Sequence, residues 1–218
     1  MKTAHPLFLR ILAIALLTFP LLSYAQVNED SRIGIKAGVN LSNFYSSEID
    51  DQNARIGFNA GIFTELALND LVSVQPELLF STRGNQRTYG DDGGVADDFD
   101  IEGDVRFNLF YVDLPILLKL SLADVINIHA GPYISYLLGA NITTEGDLIP
   151  DGTEDLDRDN FNTWDFGLAV GLGLDLNAVT IGLRYNLGLN EIANSTEADL
   201  LLDDVKNSLL QAYVAVGL

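Results

Sequence analysis

The sequence predicts an all-β chain, an eight-stranded antiparallel up-and-down transmembrane β-barrel. Three observations carry that prediction. Eight separate segments alternate large apolar residues with polar or small ones at period two. The connections between them are short and long in turn. After the first 25 residues, no run reaches the roughly 18 uninterrupted apolar residues of a membrane helix. The segment FYVDLPILLKL shows the alternation most fully. Phe110, Val112, Leu114, Ile116, Leu118 and Leu120 fall on one side, and Tyr111, Asp113, Pro115, Leu117 and Lys119 on the other. Six large apolar residues on one face, with an acid and a base on the other, require two unlike environments. Hydrocarbon outside and a narrow polar lumen inside supply them.

Residues 1–25 read as a cleaved signal peptide, and 26–218 as an outer-membrane β-barrel domain. Lys2 and Arg10 give a basic start, Ile11 to Leu22 an apolar core, and Ser23-Tyr24-Ala25 a small-x-small cleavage site. The protein is therefore expected to be exported to a bacterial outer membrane. The apolar positions of the eight strands run Ile33–Leu41, Ile56–Leu66, Val72–Phe80, Phe110–Leu120, Ile126–Leu138, Trp164–Leu176, Ile181–Leu189 and Leu210–Leu218. Asn69-Asp70 and Asn177-Ala178 are tight-turn signals. Pro76, Pro115 and Pro132 lack an amide donor, so each is expected to demote its strand or mark a bulge.

Long connections are expected at about 43–54, 84–105, 142–162 and 190–206, and they hold 22 of the 31 acidic residues. Outer-membrane barrels put short turns in the periplasm and long loops outside the cell. An acidic outer surface follows. Phe44, Tyr45, Phe58, Phe110, Trp164 and Phe166 lie near the long-loop ends, as an interfacial girdle would. The short-turn ends are mostly aliphatic. A soluble, lipocalin-like carrier with the faces inverted is the alternative fold. Five to seven bulky residues per strand exceed what eight strands enclose, whereas the glycine-rich face suits a tight interior.

A chain of 218 residues suits one domain with a sizeable core. The absence of cysteine excludes disulfides, thiolate metal sites, a cysteine nucleophile and a lipid anchor on cysteine. A formal charge of -19 argues against nucleic acid and anionic surfaces as partners.

The inward ionisable residues are Lys36, Glu65, Glu77, Asp113, Lys119, Asp165, Asp175 and Arg184, with Arg32 and Arg83 toward strand ends. Paired carboxylates are the raw material of acid–base catalysis. Buried charges of both signs need partners whatever the function, so a structural network is the expected role. Glu77 and Asp113 are expected to share a base, either Lys36 or Arg184. His129, six residues from Ser135, is poorly placed for a nucleophile–base pair at the rim. Asp155, Asp157 and Asp159 form D-x-D-x-D, but Asn160 and Phe166 replace the glycine and glutamate of a calcium loop. They form at most a weak calcium set, and no other cofactor is expected.

The segments GIKAGVNLSNF (Gly34–Phe44), QPELLFSTRG (Gln75–Gly84), YVDLPILLKL (Tyr111–Leu120), GPYISYLLGA (Gly131–Ala140) and GLRYNLGL (Gly182–Leu189) together resemble the PorT-type outer-membrane β-barrel family, small OmpA/OmpX-like bacterial barrels. The resemblance implies an eight-stranded outer-membrane barrel, in a family most of whose members have no established activity. The residues themselves lead to an expected structural or interaction role without catalysis, through the surface-exposed acidic loops or as an envelope or secretion-complex component. Implied partners are outer-membrane lipid, the barrel-assembly machinery and a protein met by the extracellular loops. Such barrels usually end in an aromatic residue, where this chain has Leu218. A passive solute conductor, a surface calcium-binding adhesin and a lipid-modifying enzyme are the competing functions.

Overall fold

A computed structural model describes residues 31–45, 53–89, 103–123, 125–146, 152–155, 162–191 and 206–218. Nine antiparallel strands follow in order: β1 (Arg32–Tyr45), β2 (Asn53–Ala67), β3 (Val72–Tyr89), β4 (Gly103–Ala123), β5 (Ile126–Gly146), β6 (Gly152–Asp155), β7 (Trp164–Leu176), β8 (Val179–Glu191) and β9 (Lys206–Gly217). Each barrel strand pairs with the next barrel strand along the chain, β5 passing directly to β7. Pairing of β1 with β9 closes the ring of eight. Closure leaves no bare sheet edge within hydrocarbon, which a membrane-spanning sheet requires.

The ninth strand was not expected. Short β6 pairs with β5 from Asn141↔Asp155 to Thr144↔Gly152, inside a stretch read as loop. Strands β3, β4 and β5 likewise run farther into the expected loops than their apolar patterns do, to Tyr89, from Gly103 and to Gly146. Beyond the bilayer both faces of a strand meet water, so the period-two signal stops although the ladder continues. The prolines also behave otherwise than expected. Bridge pairs lapse between Pro76 and Leu79, yet the β3–β4 register is the same on both sides. Pro132 stays in register opposite Leu168. Register shifts fall elsewhere: at Phe110/Tyr111 and Ser121/Ala123 between β4 and β5, between Ala54 and Asn59 against β3, and between Leu187 and Glu191 on β8. Two neighbouring strands hold each proline in place, so one missing ladder bond does not dislodge it.

Burial settles which face points where. Along β7, Trp164, Phe166, Leu168 and Val170 are exposed, while Asp165, Gly167 and Ala169 are buried. The other strands follow suit, with Ile35, Ile56, Ile116 and Leu183 outward and Lys36, Asn59, Asp113 and Arg184 inward. Large apolar side chains therefore face outward around the whole barrel, and the inverted, lipocalin-like arrangement is excluded. On that outer surface Phe58, Phe80 and Phe110 pack ring to ring across β2, β3 and β4, and Tyr136 meets Trp164 edge-on at 4.9 Å.

In the narrow lumen several rings lie over a glycine of the adjacent strand. Tyr213 of β9 lies directly opposite Gly182 of β8, and a Cβ at Gly182 would run into the ring. Phe63 crosses Gly34 in the same manner. A ring covering a glycine in the adjacent strand restores the buried area that the missing side chain forfeits. Gly182→Val should overpack this joint and lower stability by about 1–3 kcal/mol. The check is gel mobility in detergent: the folded band should convert to the unfolded one at a lower temperature than in the parent. Unchanged conversion would mean that the ring is free to move aside.

Candidate functional site

The lumen holds three tiers of charge, each assembled by strand parity from residues distant in sequence. Nearest the short turns, Glu65 accepts from Arg32 at 2.9 Å and pairs with Lys119 at 3.0 Å. Asp175 pairs with the same Lys119 at 3.1 Å and with Arg32 at 3.6 Å. Ser73 donates to Glu65, while Asn127 and Thr180 donate to Asp175. Two cations thus face two carboxylates whose remaining oxygen lone pairs are occupied by neutral donors.

The middle tier is built on Glu77. Arg184 grips it through both terminal nitrogens, at 2.7 and 2.8 Å. Lys36 adds contacts of 3.1 and 3.3 Å, and Gln75 donates at 2.6 Å. The Lys36 ammonium stands 3.7 Å from the centre of the Tyr213 ring, whose π face is the better partner for a desolvated cation. Arg184 Nε donates to His129 Nε2 at 3.3 Å, so Nδ1, 3.2 Å from the Asn127 carbonyl oxygen, carries the proton.

The third tier, toward the long-loop end, is built on Arg83. Its Nη2 reaches Asp113 and its Nη1 reaches Asp165, each at 2.6 Å. Nη2 also donates to Ser135 at 3.0 Å, Asn207 donates to Asp165 at 3.0 Å, and the guanidinium lies over the Tyr111 ring at 4.7 Å. Beyond this tier on β4 and β5, Leu109 and Leu137 are buried and inward-facing. Beside it, Asn40, Asn59 and Ser81 form a neutral knot closed by Gln211.

All eight ionisable residues anticipated from the sequence lie in this network. One pairing differs from expectation. Glu77 does hold both Lys36 and Arg184, but Asp113 shares neither; its partner is Arg83. The apolar pattern of β3 fades after Phe80, which by sequence puts Arg83 toward a strand end, whereas β3 continues to Tyr89. His129 and Ser135 are claimed by different guanidiniums and form no dyad. Of the D-x-D-x-D triplet, Asp157 and Asp159 lie outside the described residues, and Asp155 ends β6. The tiers together hold five cations and five carboxylates, the cations being Arg32, Lys36, Arg83, Lys119 and Arg184.

Residues 24–194 match the family model described as outer membrane protein beta-barrel domain. No curated protein matches the chain. Among solved structures, Neisserial surface protein A aligns with a TM-score of 0.50 and 15% identity, over 87% of this chain and 100% of that one. Ail, the attachment invasion locus protein of Yersinia pestis, aligns at 0.44 and 15%, over 86% of this chain and 99% of that one. At such identity the likeness to Neisserial surface protein A is one of fold.

Proposed function

We propose that this chain, which belongs to the outer membrane protein beta-barrel domain family, works as a closed, non-catalytic barrel that meets its partners outside the lumen. The observation that carries the reading is the filling of the lumen. Ten ion-paired groups, with aromatic and aliphatic side chains between them, occupy the space that a solute would need. Every reactive group among the eight is held in a salt bridge, a poor state for a general base or nucleophile. In this reading the short turns face the periplasm and the acidic segments 90–102, 147–151 and 192–205 face outward. There they serve a structural or interaction role in an envelope or secretion assembly of the PorT type, entered through a cleaved signal peptide and the barrel-assembly machinery. Weak calcium at Asp155, Asp157 and Asp159 fits the same outer surface. Conductance of the purified protein in a planar lipid bilayer tests the closed lumen. The membrane current should stay at baseline. Reproducible single-channel steps would show a continuous polar path and return the passive-conductor reading.

A further inference from the structure

The two ends of the outward apolar belt differ. At the long-loop end the belt stops within the strands: directly beyond Phe110, Asn108 of β4 donates to Asn141 of β5 at 2.6 Å. At the other end the belt does not stop. The three short turns share one form, a pair of small or polar residues between two aliphatic ones: Leu68-Asn69-Asp70-Leu71, Leu122-Ala123-Asp124-Val125 and Leu176-Asn177-Ala178-Val179. Leu71 and Leu122 are each 62% exposed, and Leu68 is 59% exposed, among the most open large apolar residues described. Water-facing turns are ordinarily polar, since nothing repays the exposure of leucine there.

From the structure we infer that the short-turn end is a lipid-binding surface, with the turn leucines inserted among the phospholipids of the adjacent leaflet. Span supports this. Twelve residues separate Phe110 from Leu122, and twelve separate Trp164 from Leu176. At about 3.3 Å per residue and a tilt of about 40°, that is roughly 30 Å, against an apolar band of about 25 Å. With the aromatic rings at one boundary, the turn leucines reach the head groups at the other. The surface is continuous with the membrane-facing belt, so lipid is the occupant already in contact with it. The centre of this end is compatible with it, because Arg32 and Lys119 balance Glu65 and Asp175. Asp70 and Asp124 are the only charges on the turns themselves, which favours zwitterionic over anionic head groups.

The lack of native cysteine makes a direct test available. Leu71→Cys, Leu122→Cys, Asp70→Cys and, as the lipid-facing reference, Leu172→Cys are made singly in the full chain. Each carries a nitroxide and is placed in phosphatidylcholine vesicles, and collisions with dissolved oxygen and with a water-soluble nickel chelate are measured. The oxygen-to-nickel ratio at Leu71 and Leu122 should be several-fold above that at Asp70 and below that at Leu172, which lies deeper in the belt. Nickel collisions at Leu71 and Leu122 equal to those at Asp70 would put the turns in water and overturn the inference. Protection from both reagents would overturn it too, since a second copy or another protein would then cover the surface. A normal ratio at Leu172 in the same preparations shows that the barrel itself is inserted.

Discussion

Glu77→Gln is expected to lower the stability of the folded barrel by about 3–5 kcal/mol, the range for removing one partner of a buried ion pair. Glutamine keeps the shape and one oxygen acceptor, so packing changes little. What changes is charge: Lys36 and Arg184, both fully buried, lose their shared carboxylate and are left with each other and the Tyr213 ring. Two like charges in a low-dielectric lumen repel with little screening. Adding Lys36→Met to the Glu77→Gln chain should recover part of the loss, because it returns the tier to the single net positive charge of the parent. Urea unfolding in lipid vesicles measures both differences. A Glu77→Gln cost below about 0.5 kcal/mol, typical of a surface position, would mean that the tier is hydrated and its charges act independently.

The sequence made the barrel legible wherever the two faces of a strand meet different surroundings. On β7, hydrocarbon on one side and the lumen on the other impose a period that leaves no doubt about Trp164 to Leu176. Above the membrane that contrast ends. The upper parts of β3, β4 and β5, and the whole of β6, carry residues such as Asn85, Thr144 and Gly152, to which no apolar face gives direction. Membership of the lumen network was legible by the same parity, which placed all eight anticipated residues inside. Choice of partner was not. In a tilted, sheared barrel the residue directly opposite is not the one at the same height across the lumen. Asp113 lies opposite Leu79, yet the group it meets belongs to Arg83, four residues farther along β3, whose long side chain spans the offset. Only coordinates, or the barrel shear, supply that offset. The glycines facing Tyr213 and Phe63 were legible as a small-residue face, but which ring covers which glycine again depended on register.

Arg83→Met should be the more damaging lesion of the two. Glu77 is one anion serving two cations, and both keep the Tyr213 ring when it leaves. Arg83 is one cation joining two carboxylates on strands that do not pair with each other, β4 and β7, with β5 between them. Without it, Asp113 and Asp165 face each other in a tier whose remaining donors are neutral: Ser135, Asn207 and Tyr133. A loss at or above the upper end of the 3–5 kcal/mol range for a broken buried pair is expected, and the protein should refold poorly. Arg83→Lys should fall between, because an ammonium supplies a point charge and not a planar fork reaching two carboxylates at once. The decisive variant is the triple Arg83→Met, Asp113→Asn, Asp165→Asn. Removing all three charges removes both the attraction and the desolvation penalty, so it should regain most of the lost stability although it restores no ion pair. Recovery measured as the temperature at which the folded band disappears from a detergent gel would identify unpaired charge as the cause. Failure of the triple variant to recover would instead assign the loss to the stacking of the guanidinium on Tyr111 and Tyr133.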